Sequence, residues 1–185
     1  MAIKIEVELA RLDLPFDHAS QATILYQLGA AFVLRYDQDS NIVDLNRAMQ
    51  VAQKMLVLCP TGHPEHILAF EGHVLVLGRL YHIQRNEEDL KRLIEMQEKW
   101  LEMCPPGHAS HAWALGELAN SLLYHYDIHE NMVDLSRSIE MREKILQICP
   151  PDGPEHTIAL NNLAMSINMR YQRLHDPADL NTYSH

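Results

Sequence analysis

Two short segments of the chain place one cysteine and two histidines at the same spacing, Cys-x3-His-x2-His. The residues concerned are Cys59, His63, His66, Cys104, His108 and His111. Thiolate sulfur and imidazole nitrogen are preferred zinc ligands, so each set is a candidate metal site. Each set offers three ligands where a structural zinc site has four, and the third copy keeps only Cys149 and His156. We favour the alternative, that these residues belong to a linker and recur because the linker recurs, and we therefore predict no metal site.

The cysteine of each segment is followed by proline, and this pair recurs with a fixed period. The pairs begin at Cys59, Cys104 and Cys149, which are 45 residues apart. The same period relates four tyrosines, Tyr36, Tyr81, Tyr126 and Tyr171. A fixed period of this length is typical of stacked helical repeats. We therefore predict an all-α fold, a right-handed superhelical α-solenoid of antiparallel helix hairpins.

Each repeat is predicted to contain two helices. The first carries apolar or small residues at i, i+3, i+4 and i+7, which in the first repeat are Leu25, Leu28, Gly29 and Phe32. The second begins at a favoured N-cap residue and has an acid three positions later, which suits the helix dipole and resembles a capping box. The caps are Asn41, Asn86, Asn131 and Asp176, and the acids are Asp44, Asp89, Asp134 and Asp179. Each second helix should end at the Cys-Pro pair, since proline cannot continue it.

The register of the period predicts one domain over residues 1–185. It assigns a leading helix to 1–14, repeats to 15–59, 60–104 and 105–149, and an incomplete repeat to 150–185. Terminal repeats normally need a polar outer face. We expect the final first helix to cover its apolar stripe by self-association or by contacts in a longer parent protein.

Composition excludes several classes of function. The net charge is −10 with histidine neutral, which opposes binding to a nucleic-acid backbone. No run of 18 apolar residues is present, so no membrane span is expected. The charged N-terminal segment, with Lys4 and Glu6, does not fit a signal peptide, which favours a cytoplasmic location. Three cysteines that share one repeat position are predicted to be reduced thiols, because packed helices hold such positions too far apart for disulfides.

The linkers and the fourth repeat resemble a known family. The matching segments are Cys59-Pro60-Thr61-Gly62-His63-Pro64, Cys104-Pro105-Pro106-Gly107-His108, and residues 159–171 together with Asp179-Leu180. They are similar to the long tetratricopeptide (TPR) repeats of basidiomycete fungi, although the usual TPR period is 34 residues. The resemblance implies an array that holds protein partners, often joined to a peptidase-like or nucleotide-binding domain. The sequence contains no phosphate-binding loop, nucleophile elbow or zinc-protease motif that would indicate either.

The resemblance also implies a binding groove lined by the first helices. The predicted partner-binding residues are Tyr26, Leu68, Glu71, His73, Leu75, Trp113, Asn120, Asn161 and Met165. Tyr26 and Trp113 are the predicted anchors, because aromatic residues dominate interface energetics. His73 lies on an apolar face, where it is either a core histidine or a polar anchor in the groove. The set contains no lysine or arginine, so the basic carboxylate clamp of chaperone-binding TPR proteins is not expected.

Two functions remain open from the sequence. The first is a non-enzymatic scaffold that binds a peptide or helix in its concave groove, or associates with itself through the incomplete terminal repeat. The alternative is a small-molecule or metal-binding helical protein with a site in that groove. No catalytic residue, no cofactor, no nucleic acid and no membrane are predicted; the expected partner is a protein, a peptide or a second copy of the chain.

Overall fold

The computed structural model describes residues 18–175 and residue 179. Residues 18–175 form seven α-helices, with no strand among them. The helices are α1 His18–Asp39, α2 Ile42–Leu58, α3 His66–Gln84, α4 Glu87–Met103, α5 His111–His129, α6 Met132–Ile148 and α7 Pro154–Leu174. The predicted leading helix at 1–14 and the cap at Asp176 lie outside the described residues. The prediction of an all-α helical repeat fold is confirmed.

Short and long connections alternate along the chain. Two residues join α1 to α2, α3 to α4 and α5 to α6, whereas longer Cys-Pro linkers join α2 to α3, α4 to α5 and α6 to α7. Helices α2, α4 and α6 end one residue before Cys59, Cys104 and Cys149, as the Cys-Pro pairs predict. The helical hairpin is therefore the repeating element of the chain.

The chain divides into two compact units, Met1–Leu93 and Ile94–His185, with the boundary inside α4. In the first unit, α1 packs on α2 and α2 packs on α3. The centre of its core is formed by the buried side chains of Leu25, Phe32, Leu45, Met55 and Val76.

In the second unit, α5 packs on α6 and α6 on α7. Its buried apolar residues include Leu118, Leu122, Leu135, Leu163 and Ile167.

The turn after each first helix has a backbone conformation that is unusual for the residues in it. Four non-glycine residues have φ of 52° to 53° and share one position of the 45-residue period: Ser40, Arg85, Glu130 and His175. Each donates its backbone N–H to the carbonyl oxygen of the repeated tyrosine four residues earlier, at 2.7 to 2.8 Å. A left-handed residue that closes a helix in this way is usually glycine. The period is therefore present in the backbone as well as in the sequence.

The predicted N-caps are confirmed where the structure describes them. Asn41 and Asn131 accept the backbone N–H two residues on, each at 3.1 Å, and Asn86 does the same at 3.0 Å. These side chains satisfy donors that have no partner within the helix. Because the left-handed residue directly precedes the cap, the chain reverses direction within two residues.

The acid three residues after the cap can pair with a basic residue of the preceding helix, in addition to its favourable position in the helix dipole. Asp44 is 1% exposed and accepts a hydrogen bond from Nε of Arg35 on α1 at 2.5 Å, and Nη2 of Arg35 also contacts it. The guanidinium of Arg35 holds the pKa of Asp44 below its ordinary value of 3.8, with Arg47 contributing less. The main interaction of the Asp44 carboxylate is therefore with the preceding helix rather than within its own helix.

The pairing recurs with different partners in later hairpins. His125 Nδ1 lies 2.7 Å from Asp134 Oδ2, and Arg170 Nη2 donates to Asp179 Oδ1 at 2.5 Å. In the second hairpin the partner position holds Leu80, and in the described part of the chain Asp89 has no ionic partner. Asp89 is half-buried, whereas the paired carboxylates are buried. Burial of the acid thus accompanies the presence of a basic partner, as the cost of desolvating a charge requires.

None of the helices in the described part of the chain combines the length and apolar composition that crossing a membrane requires.

We predict that Ser40→Gly raises the free energy of unfolding by about 1 kcal/mol, because glycine removes the clash that a left-handed Cβ makes with the backbone. Ser40 is exposed, so no packing is lost. Urea denaturation measures the change. Gln38→Gly, in the last turn of α1, is the matched control and should lower stability by about 1 kcal/mol. A Ser40→Gly variant less stable than the wild type would contradict the assignment.

We predict that Asp44→Asn lowers the free energy of unfolding at neutral pH by about 2–4 kcal/mol, since it leaves Arg35 without its carboxylate. The pKa of Asp44 is lowered in the folded state. Its contribution is therefore complete above the ordinary value of 3.8 and is lost as the pH falls through the lower folded pKa. Thermal unfolding at a series of pH values should show the wild type and the variant converging in acid. Asp89→Asn, the unpaired equivalent, should change stability by less than about 0.5 kcal/mol; an equal loss in both variants would sink the ion-pair account.

Candidate functional site

The histidines of the Cys-Pro linkers have backbone partners in both copies. His66 Nδ1 lies 2.8 Å from the carbonyl oxygen of Cys59, and His111 Nδ1 lies 2.6 Å from that of Cys104. His63 Nδ1 accepts the N–H of Glu65, and His108 Nδ1 accepts the N–H of Ser110, each at 3.1 Å. The bonds from His66 and His111, the first residues of α3 and α5, connect the start of the linker to the start of the next helix, and the bonds to His63 and His108 lie within the linker.

The candidate metal ligands of the sequence are only partly brought together. In the described part of the chain, one group has ligand atoms within 4.8 Å of one another, and it consists of Cys59, His63 and Glu65. His66 is outside it, and Ser110 occupies the position of Glu65 in the second linker. One carboxylate oxygen of Glu65 is buried and has no hydrogen-bond partner among the described residues. Burial, with a smaller effect of Glu65, raises the pKa of the Cys59 thiol.

The predicted groove residues of the first unit differ in accessibility. Tyr26 is 41% exposed, and Leu68 and Leu75 are half-buried. Glu71 and His73 are buried, so a partner would not reach them in this conformation. His73 Nδ1 has no hydrogen-bond partner among the described residues, and burial, followed by Arg92, lowers its pKa. The groove as a whole draws on residues of both units and stays a prediction.

In the second unit, Trp113 and Asn120 line one cavity of about 310 Å³ formed by α5, α6 and α7. Trp113 is 41% exposed and stands edge-on to Trp100, with ring centroids 5.3 Å apart. The other lining residues are mainly apolar or small, and include Gly116, Ile145, Ile158 and Ala159. A cavity of this size with a few polar groups has the character of a ligand site.

The polar groups of this cavity include a buried arginine that the sequence analysis did not single out. Arg142 on α6 is 6% exposed. Its Nη2 donates to Asn120 Oδ1 at 2.8 Å and its Nε to Ser138 Oγ at 3.4 Å, while Ser138 Oγ donates to the carbonyl oxygen of Ala119 at 2.9 Å. Burial lowers the pKa of the guanidinium, although an arginine stays protonated near neutral pH.

A comparison of repeats could have found this arginine. The positions of Ser138 and Arg142 hold Ala48 and Ala52 in the first repeat, within the apolar stripe of its second helix. A charge within an otherwise apolar stripe is easily missed when only the period of the apolar positions is considered. The signal needs alignment of the repeats with one another.

The last two predicted residues lie apart from this cavity. Asn161 lines a second cavity, of about 630 Å³, with Leu146, Leu163 and Ile167. Met165 is 57% exposed. The structure therefore brings together Trp113 and Asn120 among the predicted residues of this unit, and places Asn161 elsewhere.

The chain matches no protein-family model and no curated protein. It is similar to two crystal structures of a kinesin light chain-like protein with nearly identical TPR-like repeats from the fungus Podospora anserina. The first has a TM-score of 0.64 at 13% identity and covers 96% of this chain and 80% of that one. The second has a TM-score of 0.62 at 13% identity and covers 95% and 79%. The chain therefore has a TPR-like helical repeat fold.

Proposed function

We propose that the chain is a non-enzymatic interaction scaffold that binds a peptide or a helix of a protein partner. The observation that carries the proposal is Trp113, an aromatic side chain that is 41% exposed at the edge of an apolar cavity. Large aromatic residues beside pockets are the usual anchors of protein interfaces. TPR-like neighbours are consistent with this role. A cytoplasmic location and membership of the long-repeat fungal group belong to the same proposal.

The rigidity of the anchor supports the assignment. Trp113 packs edge-on against the fully buried Trp100, which fixes its ring before a partner arrives. A side chain that is already ordered loses less conformational entropy on binding. The exposed apolar side chains Ile158 and Met165 on α7 extend the surface available to an apolar or amphipathic segment.

We predict that Trp113→Ala weakens peptide binding by at least about tenfold. A displayed library of random 12-residue peptides is selected against the wild type, and the affinity of enriched peptides is then measured for both proteins. Ile128→Ala is the matched control, because Ile128 is an exposed apolar residue at the other end of α5, and it should leave affinity unchanged. Equal losses in the two variants, or no enrichment on the wild type, would refute the scaffold proposal. Sedimentation of the wild type over a range of concentrations reports whether the partner is a second copy.

Metal binding at the first linker is the alternative, favoured by the grouped ligand atoms of Cys59, His63 and Glu65 and by the unpartnered buried carboxylate oxygen. This function predicts one equivalent of zinc on protein purified without a histidine tag. Cys59→Ser should remove it, because the thiolate is the strongest of the three ligands. Cys104→Ser makes the same change in the linker that has Ser110 in place of Glu65, and it should retain the metal. A zinc content no higher than in the buffer rules the alternative out.

A further inference from the structure

The charge of Arg142 is not neutralised by the protein around it. In the described part of the chain, its hydrogen-bond partners are the neutral oxygens of Asn120 and Ser138, the hydroxyl of Tyr124 interacts with it electrostatically, and no carboxylate pairs with it. A buried charge normally has an opposite charge as partner, since desolvation is otherwise costly. Glu155 also lines the cavity, but it is exposed and makes no ion pair with the guanidinium.

The fold does not require these polar residues. Arg142, Ser138 and Asn120 are equivalent by the 45-residue period to Ala52, Ala48 and Ala30 in the first repeat. In the second repeat the same positions hold Gln97, Leu93 and Leu75. Alanine or mainly apolar side chains thus support the same hairpins, so the polar trio is particular to the third repeat. Groups that cost folding energy and are not needed for packing indicate binding.

Arg142 also has hydrogen-bonding capacity left over. A guanidinium has five N–H donors in a planar fork, and the two bonds to Asn120 and Ser138 use two of them. The remaining donors have no acceptor among the described residues. Arg142 lines the cavity of about 310 Å³, whose other walls are mainly apolar. Carboxylates fit such a fork with two parallel hydrogen bonds.

We propose that the cavity around Arg142 is a binding site for a small apolar molecule that carries one carboxylate. The carboxylate pairs with the Arg142 guanidinium, and the apolar body lies against Trp113, Ile145 and Ile158. The size of the cavity suits a ligand of this class. Asn120, which accepts a hydrogen bond from the guanidinium, is exposed, so solvent reaches the residue next to Arg142. The site rests on the geometry of the second unit and does not depend on peptide binding.

The probes are octanoate and octan-1-ol, which share a chain length and differ in charge. Dissociation constants are measured by NMR titration with carboxyl-labelled octanoate and with unlabelled octanol. We expect the wild type to bind octanoate at least about tenfold more tightly than octanol, because hydrogen bonds to charged groups are the strong ones. Arg142→Met should abolish that preference while leaving octanol affinity within about twofold.

Two further variants keep the test decisive if Arg142→Met does not fold. Asn120→Asp places a carboxylate at the atom that already accepts from Arg142 Nη2, so it should compete with octanoate and weaken its binding by at least about tenfold, with octanol unchanged. Asn120 is exposed, so this variant should fold. Arg137→Met removes the same charge from the same helix, where Arg137 pairs with Glu98, and should change neither affinity. A wild type without preference for octanoate, or an Asn120→Asp variant that retains it, would overturn the proposal.

Discussion

A carboxylate buried near the start of the second helix ties that helix to the end of the first. Asp44 does so through Arg35, Asp134 through His125 and Asp179 through Arg170. The partners are nine residues apart in each pair. In the first and third repeats they lie across a two-residue turn that consists of a left-handed residue and an asparagine cap. Because the turn is so short, an ion pair across it joins the two helix ends directly.

The second hairpin lacks this link and shows what substitutes for it. Leu80 stands where the basic partner would be and is itself buried, whereas Asp89 is half-buried. Leu80 belongs to the apolar core of the first unit, and the acid keeps access to water, which avoids the cost of an unpaired buried charge. The turn at Arg85 and Asn86 nevertheless has the same left-handed residue and the same asparagine cap as the paired hairpins. The repeat conserves the backbone turn more strictly than the chemistry that stabilises it.

The third repeat differs from the first and second in having a buried positive charge, Arg142, in its second helix. Arg142 is a buried cation without an acidic partner, at a position where the first repeat has alanine. Its hydrogen bonds to Asn120 and Ser138 satisfy part of the guanidinium and orient it along the wall of the cavity. Trp113, which lines the same cavity, is 41% exposed. Among the three described second helices, the third is therefore the one that carries a charge at this position, where the first and second repeats have Ala52 and Gln97.

The sequence by itself determined the period, the helix pairs, the caps at Asn41, Asn86 and Asn131 and the helix ends at the Cys-Pro pairs. These features depend on local backbone chemistry, which acts within a few residues. Tertiary structure alone decided the rest: that Asp44 pairs with Arg35, that Glu71 and His73 are buried, and that Glu65 rather than His66 groups with Cys59. The cavity around Arg142 belongs to this second class. Each of these outcomes depends on which side chains the packed helices bring together, and a periodic pattern gives the face of a helix but not the atoms opposite it.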